Sequence, residues 1–130
     1  MRCLLDTHVL VWWLGDEPIL SVAAREVIAD SANEIYVSAI SIWEIAMKAP
    51  LGKVGADVAG VRAALGPAGL RPLAFGLEDA AETAKLPAIH RDPFDRALVA
   101  QARCQGLRLL SGDRILAKYG EPVLSLDSLG

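Results

Sequence analysis

The sequence predicts an α/β fold, a three-layer sandwich in which helices flank a central, mainly parallel sheet. Five short apolar runs lack the in-out alternation of a half-exposed strand, which is typical of strands covered on both faces. Helical segments lie between these runs, and glycine or proline separates the elements. Such alternation of strands and helices is typical of a parallel sheet with helices on its faces.

In chain order, the predicted strands share a short length and an uninterrupted apolar character, and they cover residues 2–5, 35–38, 70–73, 107–110 and 122–124. The predicted helices are the longer runs between them, at about 8–14, 22–31, 42–48, 58–65, 77–85 and 93–105. Residues that stop helices and strands fall between these elements, at Pro50, Gly52, Gly66, Pro67, Gly69, Pro87, Gly106, Gly112 and Gly120.

The chain has the size of one domain. Its 130 residues should bury roughly two-thirds of the unfolded surface, and we expect residues 1–130 to form a single domain. A hydrophobic content of 53% and a mean hydropathy of +0.35 are high for so small a domain, so we expect an apolar interface with another chain.

Residues 9–15 are too short a stretch to span a membrane, and Asp6 and His8 interrupt any signal-peptide pattern. We expect a cytoplasmic protein.

The charge balance limits how nucleic acid could bind. A net charge of −3 argues against the strongly basic surface on which sequence-independent binding depends. Any nucleic acid must therefore be held locally, and cations bound by clustered acids would reverse the local field. Cys3 and Cys104 lack the close spacing of zinc or redox motifs, which favours buried free thiols.

Four acids follow strands or begin helices, at the edge of a parallel sheet where ligands usually bind. They are Asp6, Glu44, Asp95 and Asp113. Each also has a structural explanation. Ser41 and Glu44 fit a capping box, and Asp92 with Pro93 and Asp95 fits a helix start. Asp6 and Asp113 could likewise cap short helices, with Gly112 giving the last turn its freedom.

Taken together, the four acids indicate a metal site. Carboxylates gathered at one sheet edge repel one another unless a cation lies between them. Mg²⁺ and Mn²⁺ prefer oxygen ligands, and two such ions about 3.5 to 4 Å apart can clamp an in-line phosphoryl transfer. One ion would activate water and the other would stabilise the leaving oxygen. The site therefore predicts cleavage of phosphodiester bonds.

Four segments carry a resemblance to a known family, and together they span nearly the whole chain. They are LLDTH at 4–8, SAISIWEIAMK at 38–48, HRDPFDRALVAQA at 90–102 and LLSGD at 109–113. This set resembles PIN-domain toxins of the VapC type. The resemblance implies a PIN-like fold and a Mg²⁺- or Mn²⁺-dependent endoribonuclease that acts on RNA. It also implies a homodimer and a cognate antitoxin protein that neutralises the enzyme.

The resemblance also implies roles for particular residues. Asp6, Glu44, Asp95 and Asp113 occupy the positions of the family's catalytic and metal-binding acids. Thr7 and Ser111 match small hydroxyl residues near the first and last acids, as supporting ligands or for positioning water. Many relatives carry threonine before the final acid, so Ser111 is a departure that we expect to substitute chemically. Asp92 competes with Asp95, and we favour Asp95 as the ligand and Asp92 as the cap.

Several other residues have two interpretations. His8 and His90 flank the site, and substrate contact or loop packing is favoured over a general base. Arg91 and Arg96, with Lys48 and Arg114, could contact phosphates, or they could form solvated salt bridges. The tryptophans 12, 13 and 43 could stack on unpaired bases, but a core or a protein interface is favoured, and residues 11–14 are the predicted partner-binding surface.

Two alternatives belong to other classes of protein. A receiver-like signalling module would need adjacent acids after the first strand and a lysine after the last, and this chain has Asp6-Thr7 and no such lysine. A catalytically inactive PIN scaffold would bind protein only, although all four acids are present. DNA cleavage stays open, because the site chemistry does not itself distinguish the sugars.

Overall fold

The computed structural model describes residues 1–129 and contains one five-stranded sheet in the order β3-β2-β1-β4-β5. The strands are β1 (Arg2–Leu5), β2 (Glu34–Ser38), β3 (Arg71–Leu73), β4 (Arg108–Ser111) and β5 (Val123–Ser125). All four strand pairings are parallel. The predicted mainly parallel α/β fold is confirmed, and no end of a predicted strand differs from the observed one by more than one residue.

Within residues 1–129, seven α-helices connect and cover these strands. They are α1 (Thr7–Leu14), α2 (Val22–Ala29), α3 (Ala39–Lys48), α4 (Val58–Leu65), α5 (Leu77–Glu82), α6 (Pro93–Gln105) and α7 (Arg114–Ala117). Short 3₁₀ turns follow three of the elements, at Ala49–Leu51, Thr83–Lys85 and Leu126–Leu129. The helix predicted at 77–85 is therefore α5 plus one 3₁₀ turn. None of the described helices has the length and apolarity needed to cross a membrane.

Two apolar cores, one on each face of the sheet, make the three layers. Successive side chains of a strand point to opposite faces, and β1 shows this directly. Cys3 and Leu5 belong to the core under α1, α2 and α4, whereas Leu4 belongs to the core under α6. In β4, Leu110 and Leu109 divide in the same way. A sheet covered on both faces explains why its strands read as continuous apolar runs.

The strand order places a crevice between β1 and β4. From β1 the chain builds outward to β2 and β3, and it then returns to the other side of β1 to add β4 and β5. Where the order reverses in this way, the loops after the two central strands separate and leave room for a ligand. The residues that follow β1 and β4 are Asp6 and Gly112-Asp113.

The tryptophan-containing segment 11–14 is not the most exposed apolar surface. Its four residues are partly buried against the core under α1. The large apolar side chains that remain exposed include Trp43, Met47 and Leu51, at 56%, 56% and 66% exposure. They are spaced four residues apart on α3 and the turn after it, so they form a stripe, which we call the α3 stripe. Cys3 is buried as predicted, but Cys104 is only half-buried, and both thiols are free.

Candidate metal centre

Asp6 and Asp113 come directly after the two central strands and cap the helices that follow. Asp6 Oδ1 accepts a hydrogen bond from the Val9 amide at 2.8 Å. Asp113 Oδ1 accepts from the amides of Ile115 and Leu116, at 2.7 and 3.4 Å. The capping predicted for both residues is confirmed. In each carboxylate the cap uses one oxygen and leaves Oδ2 for other partners.

Ser111, the last residue of β4, joins these two acids. Its hydroxyl donates to Asp6 Oδ2 and accepts from the Asp113 amide at 3.0 Å. Ser111 is completely buried and Asp6 is 3% exposed. The hydroxyl therefore fixes the Asp6 carboxylate relative to the start of α7.

Gly112 lets the turn between Ser111 and Asp113 pass through a narrow space. A Cβ atom at this position would approach Trp12 Cζ3 and Leu126 Cδ1 to 3.2 Å. The sequence suggests that glycine supplies conformational freedom here, but the φ angle of Gly112 is not positive. Close approach of neighbouring side chains is the physical reason for glycine.

Glu44 lies in the second turn of α3, because this helix begins earlier than predicted. Ser38 is the N-cap, and its hydroxyl accepts from the Ile40 amide at 3.0 Å. The predicted capping box of Ser41 and Glu44 is therefore wrong. Ser41 lies inside the helix and accepts a hydrogen bond from the buried Thr7 hydroxyl at 3.0 Å, which ties α1 to α3.

Glu44 is 2% exposed, and only one of its two carboxylate oxygens has a hydrogen-bond partner within residues 1–129. Its Oε2 accepts from Lys48 Nζ at 2.5 Å, one helical turn further along α3. Its Oε1 is buried and has no hydrogen-bond partner within residues 1–129. An unpartnered buried carboxylate oxygen is costly, and this is an atom that a divalent cation could coordinate.

The start of α6 separates the roles of Asp92 and Asp95. Asp92 is the N-cap, with Oδ1 accepting from the amides of Phe94 and Asp95 at 2.8 and 3.4 Å. Its Oδ2 lies 3.7 Å from Lys48 Nζ. Asp95 lies in the first turn, and its side chain is 16% exposed. The predicted cap at Asp92 is confirmed, which leaves the Asp95 carboxylate free of capping.

His90 bridges two of the acids. Its Nε2 lies 3.2 Å from Asp95 Oδ2 and 3.1 Å from Asp113 Oδ2. Its Nδ1 accepts a hydrogen bond from the Asp92 amide at 3.0 Å, so the ring proton belongs on Nε2. With both nitrogens engaged, His90 has no free lone pair with which to act as a general base. One ligand atom from each of His90, Asp95 and Asp113 lies within 4.8 Å of the others.

The pKa values of three of the acids reflect burial first and neighbouring groups second. Burial raises the pKa of Asp95 to about 7, and the charges of Asp92 and Glu44 add to the effect. Burial also raises the pKa of Asp6, although hydrogen bonds from Ser111 and Val9 partly offset it. For Asp113, desolvation is outweighed by hydrogen bonds with His90 and the α7 amides, so its pKa lies below the ordinary value. A divalent cation here would favour the ionised forms of Asp6 and Asp95, which burial disfavours.

The predicted substrate-contacting arginines differ in their surroundings. Arg96 donates to the carbonyl oxygens of Pro87 and Thr83 at 3.0 and 3.3 Å, so its guanidinium is engaged within the chain. Arg91 is exposed and has no hydrogen bond or ion pair among the described residues. His8 is exposed and packs beside Trp12, with ring centroids 5.8 Å apart. Of these residues, Arg91 is therefore the best placed to meet an anion.

Ser111→Ala tests the link between Asp6 and Asp113. We expect the free energy of unfolding to fall by about 1–3 kcal/mol, because two buried polar groups lose their partner. We also expect metal affinity to fall by about 10- to 100-fold, as when a residue that orients a ligand is lost. Chemical denaturation and Mn²⁺ titration measure both effects.

Ser125→Ala is the matched control, since Ser125 pairs in register with Ser111 on β5. Its hydroxyl accepts only from the Asp127 amide, at 3.2 Å. Mn²⁺ affinity in Ser125→Ala should equal that of the parent. An equal loss in the two variants would show that Ser111 has no special role at the acids.

Comparison with known proteins identifies the class that this sheet and its edge of acids define. Residues 3–122 match the family model for the PIN domain, and the chain belongs to that family. Ribonuclease VapC22 of Mycobacterium tuberculosis is 34% identical over 122 residues, which are 92% of each chain. The resemblance to VapC-type PIN domains is thereby confirmed, and the receiver-like alternative is wrong.

Solved structures of low sequence identity share the fold. DNA-bound VapBC from Salmonella typhimurium matches with a TM-score of 0.70 and 16% identity, covering 97% of this chain and 98% of that one. VapBC-1 from nontypeable Haemophilus influenzae matches with a TM-score of 0.68 and 14% identity, covering 98% and 99%. The PIN-like part of the predicted fold class is therefore confirmed.

Proposed function

We propose that this protein is a divalent-metal-dependent endoribonuclease and the toxin of a toxin–antitoxin pair. The observation that carries the proposal is the gathering of Asp6, Glu44, Asp95 and Asp113 at the carboxyl edge of the sheet, where one buried oxygen of Glu44 has no hydrogen-bond partner within residues 1–129. The relationship to a protein named ribonuclease VapC22 supports RNA as the substrate. We also propose that residues 1–130 act as one domain in the cytoplasm.

The donor set fits Mg²⁺ or Mn²⁺, because it consists of carboxylate oxygens without thiolates. The four acids would hold the metal, with Asp95 rather than Asp92 as the ligand from α6. When bound, the metal would activate water toward the scissile phosphodiester and neutralise charge on the departing oxygen.

Neighbouring residues hold the acids in place for this chemistry. The Ser111 hydroxyl orients Asp6, and the His90 Nε2 proton is shared between Asp95 and Asp113. Thr7 contributes through its hydrogen bond to Ser41. This bond fixes α1, which follows Asp6, against α3, which contains Glu44. Ligands held in this way stay close to a productive geometry.

Cleavage of RNA tests the enzymatic proposal. The purified protein is incubated with mixed single-stranded RNAs in Mg²⁺, in Mn²⁺ and in EDTA. We expect cleavage within the strand in either metal and no cleavage in EDTA, with recovery when metal is restored. An RNA left intact under all conditions would instead support an inactive PIN scaffold, and single-stranded DNA added in parallel tests whether the sugar matters.

We also propose two protein partners, a cognate antitoxin and a second copy of this chain. A toxin–antitoxin complex from Klebsiella pneumoniae is among the solved structures with the same fold, which supports the antitoxin. The high hydrophobic content supports an apolar interface with another chain.

The antitoxin proposal is tested by co-expression with the neighbouring open reading frame. We expect a stable complex and loss of RNA cleavage in it. Sedimentation of the chain alone tests the homodimer. A monomer that fails to bind the neighbouring product would contradict both partner proposals while leaving the nuclease proposal intact.

A further inference from the structure

A cleft of about 420 Å³ lies between α3, α5 and the start of α6. We call it the α3–α6 cleft. Its lining includes Ile40, Trp43, Phe75, Thr83, Arg91 and Pro93. The lining mixes aromatic and aliphatic surface with a cation and a hydroxyl, which is typical of sites for amphipathic ligands.

The cleft shares two helices with the acids, because α3 and α6 line the cleft and also carry Glu44 and Asp95. Trp43 immediately precedes Glu44 on α3, and Phe94 immediately precedes Asp95 on α6. The rings of Trp43 and Phe94 meet edge to face, with centroids 4.9 Å apart. Lys48 Nζ, which pairs with Glu44, lies 5.6 Å from the centroid of the Phe94 ring. A ligand stacked on Trp43 would therefore lie close to a phosphate held at the acids.

Trp43 and Arg91 are the lining residues whose side chains are available to contact a ligand. Trp43 is 56% exposed although Phe94 supports its ring. Arg91 is exposed and unpaired within the described residues, whereas Arg96 in the same lining is engaged by carbonyl oxygens. An exposed, supported aromatic ring beside a free guanidinium offers stacking for a base and a charge for a phosphate.

We propose that the α3–α6 cleft binds one unpaired nucleobase of the RNA, next to the phosphodiester that is cut. Trp43 stacks on the base and Arg91 contacts an adjoining phosphate. The inference rests on the proposed ribonuclease activity and adds a specificity-determining subsite to it. It also explains how a chain with a net charge of −3 holds a polyanion, because binding is local and partly apolar.

A protein partner is the competing occupant of Trp43, since Met47 continues the same exposed α3 stripe. Met47 is as exposed as Trp43, at 56%, but it does not line the cleft. A protein interface along the stripe would depend on both residues, whereas a base in the cleft depends on Trp43 alone. The Arg91 guanidinium in the cleft and the neighbouring acids of the proposed metal site favour a nucleotide over a protein as the occupant.

Binding of a fluorescein-labelled single-stranded oligoribonucleotide tests the proposal. The Asp6→Asn protein in Mg²⁺ serves as parent, so that the probe is not cut. We expect Trp43→Ala in this background to weaken binding by about 5- to 150-fold, the range for loss of one stacked base. Trp43→Phe should stay within a few-fold of the parent because it keeps a ring, and Met47→Ala should bind like the parent. Arg91→Gln should weaken binding and reduce its salt dependence.

Other outcomes would overturn the subsite. These are equal binding by Trp43→Ala and the parent, equal losses in Trp43→Ala and Met47→Ala, or no measurable binding by the parent. A change of oligomeric state in both variants, with oligonucleotide binding unchanged, would assign the surface to a protein.

The subsite and the proposed function fail in different ways. If the wild-type protein cuts RNA and Trp43→Ala cuts it with the same KM and the same sequence preference, the subsite is wrong and the nuclease stands. If the wild-type protein cuts nothing but the parent binds the probe through Trp43, the nuclease is wrong and the nucleobase site stands.

Discussion

Replacing Asp6 by asparagine should reduce RNA cleavage at least about 100-fold while the protein stays folded. The substitution keeps the size of the side chain, and the asparagine oxygen can still accept from the Val9 amide. Ser111 can turn its hydroxyl to accept from the new amide group. The substitution removes one negative charge from the proposed metal site. A metal ion contributes several kcal/mol of transition-state stabilisation, and each loss of roughly 1.4 kcal/mol slows the reaction tenfold.

Asp16→Asn is the matched control for this change. Asp16 is an exposed acid that pairs with Arg25, and its backbone φ of 50° is one that asparagine also tolerates. Cleavage rates are measured at a Mn²⁺ concentration that does not saturate the site. Thermal unfolding confirms that both variants fold. Full activity in Asp6→Asn, or an equal loss in Asp16→Asn, would contradict the assignment of Asp6.

Asp95→Asn should make the metal-free protein more stable at pH 8. The pKa of Asp95 is raised to about 7 in the folded chain, above its ordinary value of 3.8. An aspartate with a raised folded pKa is destabilising once ionised, so stability is lost as the pH rises from about 4 to about 7. Asparagine stays neutral, and the gain at pH 8 is at most a few kcal/mol, since one pKa unit corresponds to about 1.4 kcal/mol.

The measurement is thermal unfolding in EDTA at pH 8 and at pH 4.5, with the wild type and Asp16→Asn alongside. We expect Asp95→Asn to melt several degrees higher at pH 8 and to differ little at pH 4.5. Added Mn²⁺ should raise the melting temperature of the wild type more than that of Asp95→Asn. A metal-free Asp95→Asn protein that melts below the wild type at pH 8 would show that the ionised Asp95 carboxylate does not destabilise the fold.

The fold and the acids could be predicted because their signals are local. Strands buried on both faces must be apolar along their length, and parallel strands bring the residues that follow them to one edge. Asp6 after β1 and Asp113 after β4 are read from these rules alone. The cap at Asp92 is equally local, because Pro93 fits only the first turn of a helix.

The start of α3 was not predictable from local pattern. Ser38 and Ser41 are both good caps, and the choice depends on how far β2 pairs with its neighbour. Ser38 pairs in register with Leu73 on β3, so the strand runs to Ser38 and the helix starts at once. Ser41 is thereby carried into the helix, where Thr7 reaches it.

Tertiary packing also decided the positions of His90 and the tryptophans. His90 lies in a segment without regular secondary structure, and its place between Asp95 and Asp113 depends on the path of that segment. Both Trp12 and Trp43 lie on apolar helices. Trp12 packs against the core beside Gly112, whereas Trp43 lies on the outer side of α3. The number of neighbours around a helix cannot be read from its own residues.

Direct titration of Mn²⁺ into the protein is the measurement that tests the central claim, that these acids form a divalent metal site. Calorimetry should show at least one Mn²⁺ bound by the wild type and by Asp16→Asn, and displacement of Mn²⁺ by excess Mg²⁺. Affinity should fall at least about tenfold in Asp6→Asn and in Glu44→Gln, each of which removes a charged oxygen ligand. Absence of Mn²⁺ binding by the wild type, or equal affinity in all four proteins, would contradict the account.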